Sequence, residues 1–256
     1  EEFMLIANKK VAEVFNEIKT QKHIYRVHDL PDKEKLKSLK HIVKSFGYNL
    51  DLTSSKGISK SLNNLLHQIK GKEEQNLIES LALRSMSKAE YSTINIGHYG
   101  LAFTNYTHFT SPIRRYPDVL VHRLLEQIQK KDFGKLDKNL QKKAIYCSEQ
   151  EMVAAKAERD SIKFMQIKFM QDKIGETFSG IISGVSDWGI YVEIEENKCE
   201  GMVYIKDIED DKYYYSEQQQ AILGKKTNKK YTLGDKINIE VKKADLVKKH
   251  LDFIII

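Results

Sequence analysis

The segment HFTSPIRRYPD, residues 108–118, contains side chains that can bind a phosphate group. Arg114 and Arg115 are adjacent, and each guanidinium presents a planar set of N–H donors that matches two phosphate oxygens. Pro112 and Pro117 flank the pair and restrict the backbone around it. The pattern predicts a rigid loop that clamps a phosphate.

Two hydroxyl residues and a helix start accompany the arginines. Thr110 and Ser111 precede the pair, and an amphipathic helix is expected over about 117–129. The first turn of such a helix presents free backbone N–H groups, which bind anions. The same residues also permit a structural role, in which the arginines bind acidic residues such as Asp118 or Glu126. On the local residues alone, the two interpretations are evenly balanced.

Other catalytic chemistry finds little support in the residue pattern. His98 and His108 lie near the arginine pair and could act as general bases, but we favour structural hydrogen bonding for both. The sequence has no Ser/His/Asp arrangement and no glycine-rich phosphate loop. Asp29 and Asp32 are too few to hold a metal ion, so we expect no metal ligands in this chain.

The elements that carry these residues are expected to be mainly helical as far as residue 174, because apolar residues recur there at helical spacing. The segments predicted to be helical are 3–15, 32–46, 60–70, 73–85, 117–129 and 137–173, the last with a break. Residues 23–31 are predicted to form a short extended piece. Residues 89–103 contain β-branched and aromatic residues with paired glycines, Gly97 and Gly100, and are predicted to form a strand and turn.

The character of the sequence changes after Gly175. Short alternating apolar and polar runs, separated by glycines, predict about five strands in residues 175–256, which fits a small closed barrel. We therefore predict an α+β chain with two domains, 1–174 and 175–256. Residues 210–230 contain three tyrosines and are expected to form a long loop that packs against the barrel.

The 256 residues carry a formal charge of +6, which is unevenly distributed. Residues 1–174 have 30 Lys and Arg against 21 Asp and Glu, whereas residues 175–256 have 12 against 15. A basic first part suits a polyanionic partner, although a solvated, lysine-rich surface accounts for the charge equally well.

The remaining composition bears on the compartment. Cys147 and Cys199 form no metal or disulfide pattern, and no apolar run has membrane-spanning length, so we expect a cytoplasmic protein without membrane contact. The chain opens in a helical segment, with neither an initiator Met nor a signal peptide. We therefore expect it to be a piece of a longer protein.

Residues 175–256 resemble the S1-type RNA-binding OB-fold. The resemblance rests on the blocks GIISGVSDWGIYVEI, EGMVYIKDI, YTLGDKINIEV and DLVKKHLDFII. It implies a barrel that stacks the bases of a single strand on aromatic rings beside cationic groups. The RNA-facing positions that it implies are Trp188, Tyr191, Tyr204, Asp245 and Lys249.

Two of those positions depart from the family's usual residues. The family usually has Phe where this chain has Trp188 and His where it has Tyr204, and both changes keep a ring that can stack. From the residues alone, Trp188 and Tyr191 would be assigned to the core. The resemblance reverses that preference and favours RNA contact.

Residues 1–174 resemble the later part of the catalytic domain of the ribonuclease II and ribonuclease R family, the RNB family. The blocks EEFMLIAN, YRVHDLPDKEKL, GHYGLAFTNYTHFTSPIRRYPDVLVHR and AERDSIKFMQ occur in the family's order. Within the family, the resemblance is greatest to the bacterial ribonuclease R group. It implies a processive 3′→5′ exoribonuclease that uses Mg²⁺ to hydrolyse RNA to nucleoside 5′-monophosphates.

The resemblance also implies roles for individual residues. Arg114 matches the family's catalytic arginine, and Arg115 would contact the RNA backbone beside it. Glu2 matches a glutamate that contacts the ribose at the 3′ end, where a 2′-hydroxyl distinguishes RNA from DNA. We add Thr110 and Ser111 to the RNA-binding residues because of their hydroxyl groups.

One departure limits what the chain can do alone. The family's metal site needs several aspartates close together, and we expect these ligands upstream of this chain. The leading hypothesis is therefore a monomeric fragment of an exoribonuclease that binds single-stranded RNA but does not cleave it by itself. The alternative is a non-catalytic RNA-binding protein, with an S1 barrel on a helical platform.

Overall fold

The structure is a computed structural model that describes residues 1–18, 23–72, 74–131, 139–217 and 219–256. These residues form two compact units, one from 1–32 with 86–156 and the other from 33–85 with 157–256. The predicted domain boundary near residue 174 stays a prediction. Within the described residues, no helix is long and apolar enough to cross a membrane.

The first unit is built from helices around a two-stranded ribbon. Its elements are α1 (Glu2–Glu17), β1 (Tyr25–His28), β2 (Ala89–Ser92), α5 (Tyr116–Gln129) and the first half of α6 (Leu140–Met170). The two strands pair antiparallel, with Tyr25 opposite Ser92. Phe15 of α1, Tyr91 of β2 and Val121 of α5 pack into one buried cluster. The helices predicted over 3–15 and 117–129 are confirmed, as are the strand and turn predicted over 89–103, where β2 is followed by a 3₁₀ turn at Tyr99–Leu101.

The second unit begins with three helices: α2 (Lys33–Ser45), α3 (Ser55–Ile69) and α4 (Gln75–Ser85). α2 and α3 both pack against α4. The helix α3 starts five residues before the predicted position, because Ser54 caps it by accepting a hydrogen bond from the Gly57 amide at 3.0 Å. Gly47 follows α2 with a φ of +84°, a left-handed conformation that suits glycine at a helix end.

A closed five-stranded barrel completes the second unit, so the predicted α+β class with a small barrel is confirmed. Its strands are β3 (Thr177–Ser186), β4 (Gly189–Ile194), β5 (Glu200–Tyr204), β9 (Lys236–Asp245) and β10 (His250–Ile255). They follow the order β10-β5-β4-β3-β9 around the barrel. Every neighbouring pair is antiparallel except β5 and β10, whose parallel pairing closes the sheet.

Alternating side chains fill the barrel, as period-two strands require. Ile190, Val192 and Ile194 of β4 point inward and are fully buried, whereas Tyr191 between them points outward. Phe253 of β10 is also fully buried in this core. The last turns of α6 belong to the same cluster.

Two expectations are wrong, one about residues 210–230 and one about the helix α6. The segment expected to be a long loop instead folds into a three-stranded antiparallel sheet of β6 (Tyr213–Ser216), β7 (Ala221–Gly224) and β8 (Lys230–Thr232). The segment forms strands because its side chains Tyr213 and Ile222 are buried in the barrel core. The expected packing of this segment against the barrel is therefore observed.

The second error concerns α6, which is continuous from Leu140 to Met170 and shows none of the expected interruption. A short 3₁₀ turn, Gln171–Lys173, ends it before Gly175. Residues 137 and 138 of the predicted helix lie outside the described residues.

Replacing Gly201 by Ala tests the closure of the barrel. A Cβ there would lie 2.5 Å from the Phe253 ring and 2.7 Å from the Leu251 carbonyl oxygen, both on β10. Because such a contact forces strands apart, we expect a loss of about 1–3 kcal/mol in the free energy of unfolding. Thermal denaturation would measure it, with Ser179→Ala on the exposed face of β3 as the control. Equal stability of the two variants would contradict the close pairing of β5 and β10.

Candidate functional site

The loop that carries the arginine pair is held by a buried asparagine of α1. Asn8 Oδ1 accepts hydrogen bonds from the backbone amides of Phe109 and Thr110, at 2.9 and 3.2 Å. Its side-chain amide donates to the Tyr106 hydroxyl at 3.1 Å. Thr107 adds a buried hydroxyl that donates to the Ile24 carbonyl oxygen at 2.6 Å. The loop therefore has a fixed backbone on the side that precedes the arginines.

A buried carboxylate fixes the other side of the loop. Asp118 lies in the first turn of α5 and is fully buried. Its Oδ2 accepts from the Ser111 amide at 2.7 Å and from Arg115 Nη2 at 2.8 Å. Its Oδ1 and the Nε of Arg115 are buried without a partner among the described residues. Because the ion pair offsets the cost of burying both charges, breaking it is costly.

The two arginines consequently differ. Arg115 is bound to Asp118, as the structural alternative proposed, whereas Glu126 pairs with Lys130 at 2.5 Å. Arg114 is exposed and has no ion pair within the described residues. The ion pair with Asp118 gives Arg115 a structural role. The predicted contact of Arg115 with RNA stays a prediction.

The remaining predicted residues of this unit lie on its surface or along the loop. Glu2 is exposed at the start of α1, and no hydrogen bond or ion pair joins it to Arg114 in the described part of the chain. Thr110 and Ser111 are half-buried, and their amides are the atoms bound by Asn8 and Asp118. Their roles toward RNA stay predictions.

A network of rings lies beside the arginine loop. The Tyr91 hydroxyl and His108 Nδ1 share a hydrogen bond of 2.9 Å. Arg26 lies 4.6 Å above the Tyr91 ring and forms a two-fold hydrogen bond with Glu151. Burial raises the pKa of Tyr91 to about 12. Burial, followed by the charge of Arg115, lowers the pKa of His108 to about 3, so the ring is neutral at pH 7.

His98 is occupied in a similar way, because its Nδ1 accepts from the Leu101 amide at 3.2 Å. Burial, followed by the charge of His28, lowers the pKa of His98 to about 4. Both histidines therefore have the structural hydrogen bonds that we favoured. A neutral ring with a low pKa is a poor general base at pH 7.

The arginine loop has no metal-binding group beside it in the part of the chain that the structure describes. Across the described ranges, no group of three or more His, Cys, Asp or Glu side chains is placed to hold a metal ion. The described residues therefore do not fit the magnesium ion that the resemblance implies.

The second candidate site is a cleft of about 650 Å³ on the outside of the barrel. It contains Trp188, Tyr191, Tyr204 and Lys249, four of the five residues predicted to face RNA. Trp188 lies in the turn between β3 and β4 and is 75% exposed, while Tyr191 is 38% exposed. Both rings are thus outside the core.

Strand register explains why these rings lie together. Gly189 of β4 is directly opposite Tyr204 of β5, and Tyr191 is opposite Met202, so all point to the same outer face. A glycine is needed at position 189 for β4 to pair this closely with β5, because a Cβ there would lie 2.0 Å from the Val203 carbonyl oxygen. Burial, followed by the charge of Asp252, raises the pKa of Tyr204.

Of the two polar residues predicted to face RNA, Lys249 lines the cleft and Asp245 does not. Lys249 has a φ of +54° in the β9–β10 turn and lies 3.5 Å from Asp160 of α6. Asp245 is not among the residues that line the cleft. Its carboxylate instead accepts from the Lys248 amide at 2.9 Å, which lowers its pKa and stabilises the turn. A direct role of Asp245 toward RNA stays a prediction.

Sequence reasoning missed two groups of residues at these sites. Asn8 lies in a helix, 101 and 102 positions before the two amides that it binds, and an isolated asparagine gives no signal of such a role. Four residues of α6 line the barrel cleft in addition to Asp160: Arg159, Ile162, Lys163 and Gln166. The sequence showed that these residues lie on a helix, but it did not show that the helix faces the barrel cleft.

The fold and the cleft define an OB-type barrel with exposed aromatic rings, the architecture of single-strand nucleic-acid binders. The model of the S1 RNA binding domain matches residues 171–255, and the model of the RNB domain matches residues 1–131. The chain belongs to the RNB family.

The similarity to individual relatives extends over the whole chain. It is 38% identical to ribonuclease R of Aquifex aeolicus and 38% identical to that of Thermotoga maritima, over 100% of its length in both cases. A solved structure of Mycoplasma genitalium RNase R in complex with ribose-methylated single-stranded RNA superposes with a TM-score of 0.86 and 32% identity, over 99% of this chain. The chain spans 36% and 37% of the two curated relatives and 40% of the solved chain.

The arginine loop yields a stability prediction. Removing Arg115 leaves the buried carboxylate of Asp118 without its counter-charge, so Arg115→Ala should lower the free energy of unfolding by about 3 kcal/mol. Arg114→Ala, which removes an exposed neighbour, should change it by less than about 0.5 kcal/mol. Urea denaturation of both variants would compare them. Similar effects of the two substitutions would show that Arg115 does not hold the loop.

Proposed function

We propose that this chain is the part of a 3′→5′ exoribonuclease that holds single-stranded RNA and supplies an arginine to the reaction. The observation that carries this proposal is the asymmetry of the arginine pair. The loop is tied down by Asn8 and Asp118, and Arg115 is used to fix it, while Arg114 projects from it exposed and unpaired within the described structure.

Arg114 is proposed to act on the scissile phosphate. In phosphodiester hydrolysis water attacks phosphorus and loses a proton, the bond from phosphorus to the 3′ oxygen of the remaining strand breaks, and that oxygen takes up a proton. The terminal nucleotide leaves as a nucleoside 5′-monophosphate. Negative charge on the phosphate oxygens grows in the transition state, and a fixed guanidinium stabilises it there more than in the ground state. Glu2 is proposed to bind the ribose at the 3′ end, and Thr110 and Ser111 the neighbouring phosphate.

Divalent metal dependence, with Mg²⁺ as the proposed ion, requires ligands that the described residues do not provide. We infer that they belong to a part of the protein outside these 256 residues. The chain alone should then bind RNA without cleaving it, as a monomer, and the cytoplasm is the compartment that suits such a role.

The barrel is proposed to bind the single strand by stacking. Trp188 and Tyr191 offer exposed faces in one cleft, and base–aromatic stacking tolerates any sequence because every base has a π-face. The relative from Mycoplasma genitalium was solved with single-stranded RNA, which supports this assignment.

A second candidate function is RNA binding without catalysis. The observation that favours it is the absence of a metal-binding group from the described residues. The two candidates differ in the parent protein, since only the first requires Arg114 for turnover.

The aromatic cleft yields a binding prediction for the full 256-residue chain. Replacing both Trp188 and Tyr191 by Ala should cost about 1–3 kcal/mol for each stacked base that is lost. Fluorescence anisotropy with a labelled single-stranded oligonucleotide measures the dissociation constant. Tyr214→Ala, which removes an exposed tyrosine outside the cleft, is the control. If the double variant binds like this control, RNA does not use these rings.

A kinetic prediction concerns Arg114 in the full-length parent. Arg114→Ala should lower the saturating single-turnover rate about a hundredfold or more, with a nearly unchanged dissociation constant, because its contact strengthens in the transition state. Arg84→Ala, which removes an exposed arginine outside the loop, should leave the rate unchanged. A wild-type saturating rate in Arg114→Ala would exclude the proposed catalytic role of this residue, whereas a full-length parent without measurable turnover would favour the non-catalytic alternative.

A further inference from the structure

We propose that the helix α6 forms the second wall of the RNA-binding cleft, and that Arg159 on this wall contacts the RNA backbone. The inference rests on the proposed RNA binding of the barrel and extends it to residues that lie outside the barrel strands. Five residues of α6 line the cleft together with the aromatic residues: Arg159, Asp160, Ile162, Lys163 and Gln166.

The wall is fixed to the barrel by buried side chains. Ile167 and Met170, in the last turns of α6, are fully buried in the barrel core. Gln166, directly before Ile167, donates to the Lys198 carbonyl oxygen at 2.8 Å, and Lys163, one turn before Ile167, donates to the Glu200 carbonyl oxygen. These bonds join α6 to the start of β5. Because helix and barrel share a core, the wall is a permanent part of the cleft.

The chemistry of the cleft separates bases from phosphates. Ile162 on the helix side is 53% exposed and lies in the same cleft as Trp188, Tyr191 and Met202. An aromatic and aliphatic interior suits the faces of bases, whereas a phosphate group requires a cation. A strand whose bases enter this cleft would therefore have its phosphates at the charged margin.

Arg159 is the cation available at that margin. The Lys163 ammonium is bound to a backbone oxygen, and burial lowers its pKa, while the Lys249 ammonium lies 3.5 Å from Asp160. Among the lysine and arginine side chains that line the cleft in the described residues, Arg159 alone has no such partner. An exposed guanidinium is well suited to a phosphate, because its donors match two oxygens.

Asp160 opposes the same binding. Its carboxylate competes with a phosphate for Lys249, so RNA gains less from Lys249 than from a free lysine. Neighbouring residues of one helix thus act in opposite directions, which makes the proposal testable with two substitutions of opposite predicted sign.

The test uses the intact 256-residue chain and a fluorescent single-stranded oligonucleotide, with dissociation constants measured by anisotropy at several salt concentrations. Arg159→Gln should weaken binding several-fold and flatten the dependence of log K on log salt by about 0.7, the value for one phosphate contact on a single strand. Asp160→Asn should strengthen binding a few-fold. Lys168→Gln is the matched control, since it removes one charge from α6 outside the cleft.

The outcomes separate this inference from the function on which it rests. If Arg159→Gln and Lys168→Gln have equal effects, or if Asp160→Asn weakens binding, α6 is not a wall of the RNA site. That result beside a loss of affinity in the Trp188 and Tyr191 double variant would overturn the inference alone. Failure of the unmodified chain to bind the oligonucleotide would overturn the proposed function as well.

Discussion

The parallel pairing of β5 with β10 is the contact on which the aromatic cleft depends. It brings Phe253 against the bare backbone of Gly201, where any side chain would collide with the ring. Closure there places Met202 beside Asp252 and brings the β9–β10 turn to the margin of the aromatic cleft. A barrel open at this edge would keep its core strands but lose one side of the cleft.

The two units use charge in different ways. In the first, Asp118 and Arg115 form a buried pair that fixes a loop, and the exposed Arg114 is left for the proposed contact with RNA. In the second, the ion pair of Lys249 with Asp160 is exposed, so it adds little to the stability of the fold. Burial therefore separates the charges that stabilise the fold from those that remain exposed to a ligand.

Much of the fold was predictable from the sequence because periodicity reports burial directly. The alternation in β4 and the helical spacing in α5 each match one buried face. The insert was harder, since Tyr213 and Ile222 had to be recognised as core residues in a stretch rich in turn and charged residues. The uninterrupted α6 was missed because local composition does not reveal a helix stabilised at its end by a barrel.

The candidate site was predictable only in part, and for a physical reason. Local sequence reveals the motif around Arg114 and the strand pattern that places Trp188, Tyr191 and Tyr204, because the residues involved are close together in the chain. The partners of the loop are not, because Asn8 meets it only after folding. Which of two adjacent arginines binds Asp118 depends on side-chain direction at the helix start, and that direction is a property of the folded chain.

The central claim is that single-stranded RNA binds in the aromatic cleft, and the single tryptophan of the chain reports on that cleft directly. Titrating the 256-residue chain with an unlabelled oligonucleotide while recording the emission of Trp188 is the most direct measurement. We predict a saturable change in emission with the same midpoint as binding measured by anisotropy. RNA binding with unchanged Trp188 emission would contradict the account, because the strand would then bind away from the cleft.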